Sequence, residues 1–243
     1  MKTLLALTLC FTTTLAWGAT AGSDDASNYA TDGFTNGASQ GTGFQAWNIF
    51  AEGSGGTFIG DSTDGSCGDI NTGGQSFGMW GNPGGANYIH CYRKFAGGAL
   101  GVGQIFTIKL GVNYRNGNKG IDVLGSGGTI FNVNVGGDDY TYHATNAAST
   151  SLGWGYANNS VIDCSFEQKT GNVLGVSLTR GSDSFSQDFS LPNPADEFQL
   201  YCGGTDPGSA ENNFYANSMG IIPEPTALAG LVMLLGMFAR ARR

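Results

Sequence analysis

The stretch QIFTIKLGV, residues 104–112, alternates two kinds of side chain along the chain. Phe106 and Ile108 fall on one face of an extended backbone, and Thr107 and Lys109 fall on the other. A period of two residues is typical of a β-strand that buries one face. The stretch therefore predicts a half-buried strand, and the same pattern recurs further along the chain.

Four more segments share this alternation and are separated by turn signals. The segments are residues 129–135, 161–168, 173–180 and 197–202, and the turn signals are Asn116-Gly117, Gly127-Gly128, Gly136-Gly137 and Gly171-Asn172. Asn-Gly and Gly-Gly supply the positive φ angles that tight hairpin turns require. The order of strands and turns predicts an antiparallel meander.

The fold class follows from the composition of residues 22–220. No apolar pattern at helical spacing runs for twelve residues there, which disfavours folds that pack helices on a sheet. Glycine supplies 41 of the 243 residues, too many for a helical enzyme, and aromatic residues supply 12%, too many for a disordered linker. We predict one all-β domain over residues 22–220, an antiparallel β-sandwich or jelly roll of the concanavalin-like kind.

The charge balance bears on the partners of this domain. Residues 22–222 contain seven basic and eighteen acidic side chains, so the surface repels phosphate backbones and nucleic-acid binding is disfavoured. Asp61, Asp64 and Asp69 offer oxygen ligands for Ca²⁺, but they lack EF-hand spacing. Solvated turn carboxylates that aid solubility are the preferred interpretation, and we predict no metal site.

The N-terminus has the order of parts of a secretion signal. Lys2 is followed by an apolar run over residues 4–17 and then by Ala19-Thr20-Ala21. A basic residue, an apolar core and an A-x-A site together predict a signal peptide, residues 1–21, with an N-terminal signal helix that signal peptidase removes. Cleavage after Ala21 fits best, and cleavage after Gly18 is the alternative. An uncleaved anchor is disfavoured because a spanning helix needs about 20 residues.

The C-terminus, residues 222–243, carries a second signal. It contains Pro223-Glu224-Pro225, an apolar stretch over residues 227–239, and a terminal cluster formed by Arg240, Arg242 and Arg243. This order resembles the PEP-CTERM sorting signal. The resemblance implies recognition by an exosortase, a membrane-embedded enzyme that cuts near the tripeptide and passes the protein to the cell surface or an exopolysaccharide matrix.

Elementary physics agrees with this resemblance. Two prolines in three residues force an extended approach that a protease can bind. A helix over residues 227–239 would be about 20 Å long, which is marginal against a hydrocarbon core of about 30 Å. The arginines would hold that end on the cytoplasmic side. A plain tail anchor explains the apolar helix and the arginines but not the tripeptide, so we expect a transient stay in the inner membrane.

Export determines the interpretation of the cysteines. Cys10 lies in the signal peptide, which leaves Cys67, Cys91, Cys164 and Cys202 in the exported part. An even number of cysteines in an oxidising compartment predicts two disulfides. Three connectivities are open, and Cys67–Cys91 with Cys164–Cys202 is preferred because each pair neighbours in sequence. A metal site is the rival, but there is no C-x-x-C motif and the two histidines lack ligand spacing.

Motifs of catalysis have weak support. FIGDS, residues 58–62, resembles the start of GDSL esterases, but no Asp-x-x-His pair supplies the base that a serine nucleophile needs. GTGFQA, residues 41–46, matches a dinucleotide fingerprint but precedes an expected strand instead of following one, so no cofactor is predicted. The strand carboxylates Asp122, Asp163 and Glu167 form no alternating pair of the kind that glycoside hydrolases use.

Carbohydrate binding needs only exposed aromatic rings and polar neighbours. The run GWGYANN, residues 153–159, supplies Trp154, Tyr156 and Asn158 as candidate contacts, although large aromatic side chains often fill sandwich cores instead. The body also loosely resembles a domain common among PEP-CTERM proteins that has no established activity. The sequence thus predicts an exported, non-catalytic surface or matrix protein that contacts exopolysaccharide. The alternative is a secreted carbohydrate-active enzyme.

Overall fold

A computed structural model describes residues 21–224, apart from 114–115, 137–138, 146 and 206–208. The predicted signal helix, the predicted C-terminal apolar helix and the arginine cluster lie outside the described residues. Within the described part, no helix has both the length and the apolar character needed to span a bilayer.

The described residues form fifteen β-strands and three short 3-10 helices. The strands are β1 Gly22–Asp24, β2 Asn48–Glu52, β3 Gly55–Gly60, β4 Ser76–Gly81, β5 Tyr88–Lys94, β6 Ile105–Val112, β7 Asn118–Gly125, β8 Gly128–Asn134, β9 Thr141–Ala144, β10 Thr150–Ser151, β11 Ser160–Thr170, β12 Val173–Arg180, β13 Asp183–Ser190, β14 Glu197–Gly203 and β15 Phe214–Ile222. The 3-10 helices are Ala26–Asn28, Ser62–Gly65 and Ala210–Asn212.

Two antiparallel sheets contain all of these strands. The first has the order β13-β12-β11-β6-β15-β4-β3, with β1 also paired to β15, and the second has the order β10-β9-β8-β7-β14-β5-β2. The prediction of an all-β fold with two antiparallel sheets is confirmed, and each of the five predicted segments is a strand.

The predicted meander is right only in part. Consecutive hairpins join β7 to β10 and β11 to β13, but β6 and β7 lie in different sheets. Asn116-Gly117 therefore belongs to a connection between the sheets and not to a hairpin. The reason is that β6 pairs with β11 and β15, which come much later in the chain. Alternation identifies a strand, but it does not identify the neighbours of that strand.

The core lies between the sheets and is rich in aromatic rings. Phe106, Ile108 and Leu110 of β6 are at most 1% exposed, as their alternation predicts. The Phe106 ring packs against Phe198 of the second sheet with centroids 4.8 Å apart. Burial of such side chains is the main favourable contribution to folding, at about 25 cal/mol per Å² of apolar area.

A buried ion pair fixes the first strand to this core. Asp24 of β1 and Arg93 of β5 are 2% and 0% exposed and are bonded to each other. The hydroxyl of Tyr29 also donates to Oδ2 of Asp24 at 2.6 Å. The guanidinium lies over the rings of Phe44 and Trp47, at 5.0 and 4.7 Å from their centroids. Burial, together with the bond to Asp24, raises the pKa of Tyr29 to about 12.

The predicted disulfides are absent, since Cys67, Cys91, Cys164 and Cys202 are buried free thiols. Cys67 packs with Ile70 outside the main core that holds the other three. Cys164 and Cys202 lie on facing sheets, which stand about 10 Å apart, whereas a disulfide needs Cα atoms within about 7 Å. Burial raises the pKa of Cys67 and of Cys202 to about 11, which suppresses the reactive thiolate.

Candidate functional site

The outward side of the second sheet carries an unusual concentration of polar and aromatic side chains. Two rows of register-paired residues run across six strands. The first row is Asn48, Tyr92, Gln199, Asp122, Asn132 and His143, and the second is Phe50, His90, Tyr201, Gly120, Asn134 and Thr141. We call this surface, together with Glu52, Tyr88, Glu197 and Asn118, the polar face. Its strands bury the intervening apolar residues on the opposite side, so these side chains point outward, although Asn132, Gln199 and Tyr201 are only 6–8% exposed.

An aromatic strip forms one side of the polar face. Tyr88, His90 and Tyr92 occupy alternate positions of β5, and Phe50 lies beside them on β2. The rings of Phe50 and His90 are nearly parallel with centroids 5.0 Å apart, and those of Tyr88 and His90 are 5.7 Å apart. Phe50 is 43% exposed. The strip thus offers an apolar platform within a polar surface.

Two glycines bring the backbone close to the rings of this face. A Cβ at Gly203 would lie 2.3 Å from the ring of Tyr88, and a Cβ at Gly120 would lie 2.6 Å from the hydroxyl of Tyr201. Because both positions lack a side chain, the two tyrosines lie low against the sheet. The resulting shallow depression has a volume of about 390 Å³ and is lined by members of both rows.

Hydrogen bonds hold the polar side chains in place. The amide of Asn132 donates to Oδ1 of Asp122 at 2.8 Å and to the hydroxyl of Tyr201 at 3.0 Å. The amide of Asn118 donates to the hydroxyl of Tyr88 at 2.6 Å. Positions fixed before a ligand arrives reduce the entropy lost on binding.

His90 has one ring nitrogen without a hydrogen-bond partner among the described residues. Its Nδ1 lies 2.6 Å from Nε2 of Gln199. With the amide assigned as the donor, the imidazole proton is on Nε2. That nitrogen is buried and unpaired, and the nearest carboxylate oxygen, on Glu52, is 3.9 Å away. Burial lowers the pKa of His90 in spite of Glu52, so the ring is neutral at pH 7. A ligand acceptor would satisfy this N–H group once the side chains that cover it shift.

Two carboxyl groups of the polar face, those of Asp122 and Glu197, are partly buried, whereas that of Glu52 is exposed. Burial raises the pKa of Asp122, against the hydrogen bond from Asn132 and the charge of His143. Burial also raises the pKa of Glu197. Burial raises the pKa of Tyr92, and the charges of three nearby carboxylates add to this shift. The field over the aromatic strip is therefore negative.

Replacing Asp122 by Asn should stabilise the protein at neutral pH. A carboxyl group with a raised folded-state pKa contributes stability below its unfolded pKa and loses that contribution as the pH rises through the folded value. We expect Asp122→Asn to increase the free energy of unfolding by about 0.5–1 kcal/mol at pH 7. Urea unfolding at pH 7 and pH 3 measures this, and the gain should vanish at pH 3. Equal gains at both pH values would contradict the assignment.

The sequence-predicted carbohydrate contacts lie elsewhere. Trp154 and Tyr156 belong to the segment between β10 and β11, where the carbonyl oxygens of Trp154 and Gly155 accept hydrogen bonds from the guanidinium of Arg180 at 2.5 and 2.7 Å. The hydroxyl of Tyr156 donates to the carbonyl of Asn113. Asn158 is exposed. The three residues remain a predicted contact surface, separate from the polar face.

The other motifs singled out in the sequence have structural roles. The carboxylate of Asp61 caps a 3-10 helix by accepting from the backbone and hydroxyl of Thr63, and it also accepts from Asn71 at 2.5 Å. Ser62, which holds the serine position of the FIGDS motif, is buried and bonded to Asn71 at 3.2 Å.

Comparisons with known proteins found only distant structural similarity. No family model and no curated protein matches the sequence. Among solved structures, a botulinum neurotoxin type G receptor-binding domain has a TM-score of 0.41 at 10% identity, covering 74% of this chain and 43% of its own. A galectin of Caenorhabditis elegans has a TM-score of 0.35 at 11% identity, covering 58% of this chain and 94% of its own. The chain spans less than half the length of the toxin domain. Similarities this distant carry no argument about function.

Proposed function

We propose that the chain is an exported, non-catalytic surface or matrix protein that binds carbohydrate on its polar face. The observation that carries this proposal is the exposed Phe50–His90 platform beside a hydrogen-bonded array of amide and carboxylate groups. A sugar ring has an apolar face of C–H groups that packs on aromatic rings, and its hydroxyls both donate and accept. Asp122 and the tyrosine hydroxyls supply acceptors, and Nε2 of His90 supplies a donor.

The route to the surface is proposed from the two ends of the chain. Strand β1 begins at Gly22, directly after the predicted signal peptidase site, and β15 ends at Ile222, directly before Pro223. Glu224 is exposed. The exposure of Glu224, the central residue of the predicted motif, supports the proposed action of an exosortase-type enzyme on the tail. Cleavage near the motif would release the domain from the inner membrane and leave it at the cell surface or in the exopolysaccharide matrix.

A glycan array probed with the exported protein tests the binding proposal. We expect at least one glycan to bind, and we expect Phe50→Ala and His90→Ala each to weaken that binding about fivefold, since stacking and hydrogen bonds are each worth about 1 kcal/mol. Trp154→Ala serves as the matched aromatic control and should leave binding unchanged. Loss of binding in Trp154→Ala but not in Phe50→Ala would assign the site to residues 153–159 instead.

A secreted carbohydrate-active enzyme is the second candidate, because two partly buried carboxyl groups share the polar face. Glu197 faces Leu124 across the strands, and Asp122 faces Gln199, so the two acids are diagonal neighbours. Burial raises the pKa of both, and glycoside hydrolases use one protonated and one ionised carboxyl group. Release of reducing sugar that Asp122→Asn abolishes would establish this activity, and binding without release would support the non-catalytic role.

A further inference from the structure

Five of the six positive charges of the described residues are kept away from the polar face. Arg93, Lys119 and Arg180 are buried. Lys109 and Lys169 are bonded to Asp163 and Asp188 at 2.5 and 2.7 Å, on the outward side of the first sheet. Lys94 is the sixth basic residue of the described part, and it lies at the margin of the polar face, paired in register with Glu197. No arginine or lysine of the described part lines the depression.

Negative charge is concentrated on the same face. Asp122 lines the depression, and a carboxylate oxygen of Glu52 lies 3.9 Å from Nε2 of His90. Glu197 lies two residues before Gln199 on β14. All three act on Tyr92, the central residue of the aromatic strip. An anionic ligand approaching the strip would meet three carboxylates, against the one exposed lysine, Lys94, at the margin of the face.

We infer that the polar face binds an uncharged glycan and discriminates against glycans that carry carboxylate groups. This inference rests on the proposed carbohydrate-binding function and adds the ligand class. Hydroxyl groups of a neutral sugar donate to the carboxylate of Asp122 and accept from Nε2 of His90, while the C–H face packs on Phe50. A uronic acid keeps the ring hydroxyls but carries a carboxylate in place of the C6 hydroxyl group, and that carboxylate is repelled by Asp122, Glu52 and Glu197.

The experiment uses paired polysaccharides that differ only at C6, which carries a hydroxyl in one and is a carboxylate in the other. Glucan, mannan and galactan oligomers, each beside its C6-oxidised uronate form of equal length, are titrated into the full exported protein by calorimetry at low salt. We expect each neutral oligomer that binds to do so about tenfold more tightly than its uronate. In 1 M NaCl the difference should shrink, because screening shortens the Debye length to about 3 Å. A uronate that binds as tightly as its neutral partner would overturn the inference. Binding by no oligomer of either kind, here or on the array, would instead remove the proposed function.

Variants then locate the source of the discrimination. We expect Glu52→Gln with Glu197→Gln to reduce the tenfold ratio to about threefold, since partly exposed charges contribute fractions of a kcal/mol each. Asp163→Asn with Asp188→Asn removes the same charge from the outward side of the first sheet and should leave the ratio at tenfold. Equal reductions in both double variants would show that total charge, and not the polar face, excludes uronates, which would contradict the inference.

Discussion

We expect Asp24→Asn to lower the free energy of unfolding by about 3–5 kcal/mol, a large part of the stability of a typical domain. The carboxylate is buried and accepts from Arg93 and Tyr29 through Oδ2, and from Asn28 through Oδ1 at 2.9 Å. Asn keeps the size of the side chain but removes its charge. The guanidinium of Arg93 would then be buried without a counter-ion, which is the costly state.

Guanidinium chloride unfolding measures this prediction, and a second ion pair provides its control. Asp163 pairs with Lys109, but both side chains are about half exposed. Asp163→Asn removes the same charge by the same substitution and should cost at most about 1 kcal/mol. Equal losses in the two variants would show that burial does not determine the importance of Asp24.

A double substitution keeps the prediction testable if Asp24→Asn fails to fold. Replacing both charged partners by apolar residues, Asp24→Leu with Arg93→Met, removes the unpaired charge and the desolvation cost together. We expect the double variant to regain at least half of the loss, because buried pairs are often replaced by apolar residues at little cost. A double variant less stable than Asp24→Asn would mean that the further hydrogen bonds of Arg93, to the carbonyls of Gln40 and Gln45, dominate.

Strand positions were predictable from the sequence, but strand partners were not. Alternation identified β6 and its buried face because the polarity of each side chain matches its own burial. The pairing of β1 with β15 joins residues about 200 positions apart, and nothing local to Gly22–Asp24 encodes it. Asp24 itself has an ordinary acidic side chain in the sequence. Only the fold shows that it neutralises a buried arginine.

The polar face was hidden for a related reason. Strand β5 reads Tyr-Ile-His-Cys-Tyr-Arg, and alternation separates Tyr88, His90 and Tyr92 from the intervening residues. Hydropathy would bury the tyrosines and expose Arg93. In the structure Arg93 is fully buried, whereas His90 and the two tyrosines are only partly buried. Register with β14 and β7 then adds Gln199 and Asp122. The composition of residues 153–159 instead favoured Trp154 and Tyr156 as candidate contacts, because this loop is rich in glycine and aromatic residues.

Gly120→Ala should damage both the fold and the proposed site. A Cβ at this position would lie 2.0 Å from the carbonyl oxygen of Val133 and 2.6 Å from the hydroxyl of Tyr201, so either a strand or a ring must move. We expect the free energy of unfolding to fall by about 3 kcal/mol, at the upper end of overpacking effects. Because the hydroxyl of Tyr201 is bonded to Asn132, its displacement should also weaken glycan binding tenfold or more.

Gly171→Ala is the matched control for this prediction. Gly171 lies in the turn between β11 and β12, and a Cβ there meets no atom within 4 Å. The control should change stability by less than about 1 kcal/mol, in the stabilising direction if at all, and should leave glycan binding intact. Guanidinium unfolding and glycan titration of both variants separate the two contributions. If Gly120→Ala loses stability but keeps full affinity, then Tyr201 has no part in the binding surface. If it keeps both, the close approach at Gly120 does not constrain the sheet, and the low position of Tyr201 must have another cause.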